Sequence, residues 1–234
     1  MKKIVVPVIA IIIYILFMHI IRPDFNSIIP KDYLQAFGNF YIYFILCLFL
    51  IMLYSFDFSK YYEELNLEYK TKNSLYAQNQ SDERIDRVLD GVLLVFCFQI
   101  IANMLVAFLR NGNILKSENE LIINEILRSS PTNFLLLGMA CVVFGPIVEE
   151  LVFRKTIFEL LRNDNISIVI SSVIFGLIHV IEYNYSFLEM ILTSLPYISS
   201  GIVLGVIYSK SGHDIKCNIH IHMICNLIST LLVL

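Results

Sequence analysis

The chain has 234 residues, of which 57% are hydrophobic and only 16% charged, with a net charge of −3 and a mean hydropathy of +0.72. Soluble domains run nearer roughly 45–50% apolar and about 25% charged, so an ordinary cytosolic domain, a disordered chain and a disulfide-built secreted scaffold are excluded. The acidic balance gives no footing for nucleic-acid binding, and Cys47, Cys97, Cys141, Cys217 and Cys225, with no C-x-x-C spacing, read as small apolar residues.

Met1-Lys2-Lys3 opens an apolar run from Ile4 to Ile21, closed by Arg22-Pro23-Asp24. No A-x-A-like cleavage site follows, so the run reads as an uncleaved first helix. Further apolar runs fall at 39–56, 91–109, 133–161, 166–182, 188–208 and 218–234. Runs of about 18 residues or more suit a bilayer span. The expected fold is therefore all-α, a polytopic membrane protein of about seven transmembrane helices.

Residues 57–90 mix eight acidic with five basic side chains and read as a solvated helical loop. Ser117-Glu118-Asn119-Glu120 is a capping box that opens a short amphipathic helix on the membrane interface, stopped by Pro131. With the N-terminus inside, the inside segments hold 12 Lys and Arg and the outside segments 5. That split predicts a cytoplasmic N-terminus.

Ionisable groups within a membrane are costly and ask for a reason. In Pro146-Ile147-Val148-Glu149-Glu150-Leu151-Val152-Phe153-Arg154, Glu150 and Arg154 stand four apart and can pair on one helix face, which leaves Glu149 without a local partner. His179 ends Phe175-Gly176-Leu177-Ile178-His179. Asn163-Asp164-Asn165 reads as a turn, and residues 149 and 179 each lie 15 positions from Asp164. A helical hairpin folded there places Glu149 and His179 at one level, roughly 20 Å from the turn and well within the membrane. His222 and Asn226, also four apart, lie roughly 12–18 Å from the turn near Gly212-His213-Asp214. They reach the same level if both turns share a side. His220 faces elsewhere, Gly201 and Gly205 read as close packing, and Tyr183 and Tyr185 read as interfacial anchors. His19 and His213 have no assigned role.

Three chemistries fit this set. A carboxylate can deprotonate a water for attack on a carbonyl, with His179 sharing in that activation and His222 and Asn226 donating to the oxyanion. Glu149, His179 and His222 can instead hold a catalytic zinc ion. The same groups can relay protons in a transporter, although no repeated halves are visible.

The residues Glu149-Glu150-x-x-x-Arg154, Phe175-x-x-x-His179 and His222-x-x-x-Asn226, in this order and each on an apolar helix, resemble the CAAX protease and bacteriocin-processing (Abi) family of intramembrane endopeptidases. The resemblance covers roughly residues 118–234, and residues 1–117 match only as leading transmembrane helices and a cytoplasmic loop. It implies a multi-helix peptidase fold with an intramembrane active-site cavity open toward the substrate side. It also implies that Glu149 activates water with help from His179, that His222 and Asn226 stabilise the oxyanion, and that Glu150 and Arg154 support the site. Phe175 belongs to the second motif. No metal or other cofactor is expected, with zinc on Glu149, His179 and His222 as the alternative. Lys155 departs from the small residue the family often carries after its motif arginine. The expected substrate is a peptide or small membrane-associated protein in bacterial peptide maturation or bacteriocin self-immunity. A non-catalytic immunity or scaffold protein of the same fold is the other reading.

Overall fold

The computed structural model describes residues 2–21, 23–69, 74–113 and 115–233, with side chains described for these except 2–3 and 56–84. The side chains of the acidic and basic stretch expected as a solvated loop therefore fall largely outside the described residues. Every regular element is helical among the described residues. Helix α1 (Lys2–Ile15) runs into a π-helical turn, Leu16–Ile20. Then follow α2 (Lys31–Tyr69), α3 (Ser74–Leu109) and the short α4 (Glu118–Ser129). Helix α5 (Pro131–Leu161) is followed by α6 (Asp164–Ile178), α7 (Phe187–Lys210) and α8 (Ile215–Leu231).

Four segments are long and apolar enough to cross a membrane: Lys31–Ser55, Ile85–Leu109, Pro131–Leu161 and Phe187–Lys210. The chain is thus a multi-pass membrane protein. The other three expected spans correspond to shorter helices. Ile4–Ile20 and Asp164–Ile178 are apolar helices of 10–17 residues, and α8 has 17 residues interrupted by Asn218, His220, His222 and Asn226. The run expected over 166–182 stops as helix at Ile178, with His179 as its C-cap.

Helix α5 is the centre of the bundle, packed by α1, α2, α4, α6 and α8. Val148 through Arg154 are all buried. A helix surrounded on every side buries its whole circumference, which is why two adjacent carboxylates can both point inward. Its course is not a plain α-helix. Ala140–Phe144 and Glu150–Thr156 are π-helical. Pro146 explains the first, because its missing N–H and its ring break the i−4 ladder. Gly145 N–H bonds Ala140 O, five residues back. In the second, the Thr156 hydroxyl bonds Leu151 O at 2.8 Å.

Chain ends and turns sort onto two faces. The α5–α6 turn and the α7–α8 turn lie together, with Asp164 accepting from Ser209 and sitting 3.3 Å from His213 Nε2. On the opposite face, α4 is tied to the 179–186 segment. Its N-cap Ser117 accepts from Glu120 N–H, Glu118 N–H donates to the Tyr185 hydroxyl at 2.6 Å, and the Tyr183 hydroxyl donates to Asn119 at 3.3 Å. Tyr183 and Tyr185 thus hold α4 rather than simply anchoring the chain in the interface.

Helices α6 and α7 approach closely through glycines. A Cβ on Gly201 would stand 2.9 Å from Ser172 Cα, and one on Gly176 would collide with Ile198 Cγ1 and stand 3.1 Å from the Ile198 backbone nitrogen. Nothing lies within 4 Å of the same position on Gly138. Gly201→Ala is therefore expected to destabilise the fold by about 1–3 kcal/mol through overpacking, while Gly138→Ala is neutral or stabilising. Denaturation in detergent measures both, and equal stabilities would contradict this packing.

Candidate active site

The polar residues anticipated within the membrane converge on α5. Glu150 is fully buried and lies at the centre of a network. Its Oε2 stands 3.4 Å from Arg154 Nε and accepts from Asn218 Nδ2 at 3.1 Å. Its Oε1 accepts from His222 Nδ1 at 3.0 Å. The expected Glu150–Arg154 pair is present, but α8 contributes two further donors. Arg154 also donates from Nη2 to Gly201 O at 3.3 Å, and its guanidinium lies 4.9 Å from the Phe175 ring centre. A buried charge pair is costly unless other groups meet it; α6, α7 and α8 all supply partners here, although Arg154 Nε and Nη1 make no hydrogen bond among the described residues.

Glu149 is 7% exposed, and its Oε2 lies 3.6 Å from His222 Nε2. His222 therefore stands between the two carboxylates. A carboxylate can only accept, so Nδ1 carries the proton given to Glu150 and Nε2 faces Glu149. His179 is fixed differently. Its Nδ1–H donates to Phe175 O at 2.7 Å, and its ring stacks on Tyr197 with centroids 4.5 Å apart. That fixes the tautomer and leaves Nε2 unprotonated. Phe175 packs at 4.8 Å from His179 and 5.9 Å from His222 and so spaces the two imidazoles.

Glu149, His179, His222, Phe175 and Asn226 all line one cavity of about 830 Å³, a volume suited to a ligand site. Asn226 gives one amide hydrogen to Cys141 O at 2.8 Å, and its second hydrogen remains for another acceptor. Among the described residues, no three His, Cys, Asp or Glu side chains are grouped to hold a metal ion. Both histidines commit Nδ1–H to other acceptors and leave Nε2 for the cavity, so the alternative of zinc on Glu149, His179 and His222 fails on the grouping of the three side chains and not on the histidine tautomers.

Two residues at this centre were not anticipated. Asn218 is fully buried, bonds Glu150 and Leu204 O, and stands one turn before His222 on the same helix face. The run Asn218-x-x-x-His222-x-x-x-Asn226 is its visible signal. Tyr197, under His179, reads in the sequence as one more aromatic in an apolar span. His19 pairs with Glu182 at 2.9 Å on the cavity rim. His220 is exposed, as expected, and Lys155 pairs with Glu159 at 3.0 Å and lies over the Tyr54 ring.

Residues 131–228 match the family model described as Type II CAAX prenyl endopeptidase Rce1-like. No curated protein and no solved structure matches the chain. The matched segment contains the whole Glu149, Glu150, Arg154, Phe175, His179, His222 and Asn226 set.

Arg154→Met leaves Glu150 buried without its cation and is expected to destabilise the protein by about 3–5 kcal/mol. Adding Glu150→Gln should recover part of that loss, giving a coupling of at least about 1 kcal/mol in a double-mutant cycle. Additive losses would show that the pair is not coupled.

Proposed function

We propose that this chain belongs to the CAAX protease and Abi family of intramembrane endopeptidases, whose Rce1-like model matches residues 131–228, and that it hydrolyses a peptide bond of a peptide or small membrane-associated protein, using a water activated by Glu149. The bacterial setting suggested by its composition makes peptide maturation or bacteriocin self-immunity the expected process. The observation that carries this reading is Glu149 on the wall of a cavity of about 830 Å³ with His179 and His222. Glu149 takes the proton as the water adds to the carbonyl carbon. His179 Nε2, unprotonated in its tautomer, accepts a hydrogen bond from the same water. The free amide hydrogen of Asn226 donates to the oxyanion, and His222, whose Nδ1–H is committed to Glu150, joins it from Nε2 when the ring carries both protons. The proton then passes to the leaving amine. Glu150, Arg154 and Phe175 position His222 and His179.

Residues 118–234 form the catalytic core and 1–117 the leading helices. With α1, α6 and α8 also lying in the bilayer, the chain crosses it seven times. The 12:5 cation split places the N-terminus in the cytoplasm. The rim built by α4 and residues 179–186 lies on the face opposite the N-terminus, and so faces outside.

Glu149→Gln is expected to reduce hydrolysis of a peptide precursor by about 10²–10⁴-fold, with the melting transition in detergent unchanged. Asn226→Ala should lose about 10²–10³-fold. Full activity in both variants would sink the mechanism. For topology, a cysteine placed at Asn26 in a cysteine-free background should react with an impermeant maleimide in intact cells, and one at Gly212 only after lysis. The reverse pattern inverts the chain in the membrane.

A further inference from the structure

The cavity wall outside the family match carries uncharged amides. Gln35 and Asn39 stand four apart on α2, and Gln99 and Asn103 stand four apart on α3, so each pair shares a helix face. All four line the cavity that holds Glu149. Their spans are otherwise strongly apolar, with mean hydropathies of 2.2 and 2.6. Amides there ask for a reason. Internal bonding does not supply it. The side chains of Gln35, Gln99 and Asn103 make no hydrogen bond among the described residues, and Asn39 spends one hydrogen on Gln35 O. The two pairs sit on different walls, because α2 packs on α1 and α5 while α3 packs on α7 and α8. No Lys or Arg lines the cavity among the described residues.

An extended peptide carries an N–H and a C=O at each residue, and leaving these unpaired away from water is costly. A carboxamide offers a donor and an acceptor together. An isoprenoid chain offers neither group to such a wall. We propose that Gln35, Asn39, Gln99 and Asn103 bind the main chain of an extended peptide segment and hold it beside Glu149. This rests on the endopeptidase reading and names the substrate feature recognised. It also gives the leading helices a part in substrate selection that the matched segment alone lacks.

The test uses the full-length Glu149→Ala protein in lipid nanodiscs, where no turnover occurs. The probe is a fluorescein-labelled decapeptide of alternating alanine and serine, unmodified or N-methylated at alternate backbone amides. The unmodified peptide should bind about tenfold more tightly than the methylated one. Gln99→Leu with Asn103→Leu should erase that preference, while Gln99→Asn with Asn103→Gln, which keeps the amides, should retain it. Equal binding of both peptides, binding of neither, or a preference that survives the leucine pair would overturn the proposal and leave the amides as mere lining of a wet cavity. Backbone-dependent binding together with no Glu149-dependent hydrolysis in the parent protein would overturn the endopeptidase reading alone.

Discussion

The polar centre of this bundle is arranged around one fully buried ion pair, Glu150 with Arg154. Two charges held out of water demand partners nearby, even though Arg154 Nε and Nη1 make no hydrogen bond among the described residues. That demand recruits Gly201 O from α7, the Phe175 face from α6, and Asn218 and His222 from α8. The pair therefore does more than neutralise itself. It ties four helices at one depth and fixes which nitrogen of His222 turns to Glu149. Glu149, with fewer local partners, stays on the cavity wall. The adjacent carboxylates are thus separated by environment, one enclosed in structure and one facing open space.

Much of this was legible because lipid makes ionisable residues conspicuous. Glu149, His179, His222 and Asn226 stand out in apolar runs. Equal spacing about Asp164, and the four-residue step from His222 to Asn226, were enough to bring them to one cavity. Helical spacing gives a face, however, and not a partner. It did not show that Asn226 spends a hydrogen on Cys141 O, or that Glu150 reaches across to α8. Asn218 was missed because a polar residue four positions after a turn reads as interfacial, whereas it is fully buried. The π turns were missed because a fixed 100° per residue has no place for them. Span counting was coarser still, since α1, α6 and α8 are too short or too polar for length and hydropathy to settle.

The leading helices also contribute more than their generic sequence suggests. Tyr14 of α1 packs edge-on against Phe153 at 5.5 Å, next to Arg154, and Tyr54 of α2 bonds Thr156 within the second π turn. The matched segment holds the charged set, while α1, α2 and α3 close the remaining walls of the cavity. Neither part alone encloses the site.

The second π turn has a consequence for how the chain tolerates change. A π turn carries one residue more per hydrogen-bonded ring than an α turn. The extra residue is thus absorbed without turning the helix on either side. Removing a single residue from Glu150–Thr156 would close the segment as α-helix with Glu149 and Phe158 still facing nearly their present neighbours, whereas removing one from an α-helical part of the same helix would rotate its two sides by about 100° against each other. The π turn is therefore the place where this helix can change length with the least change of phase, although Glu150 and Arg154 within it hold their side chains fixed.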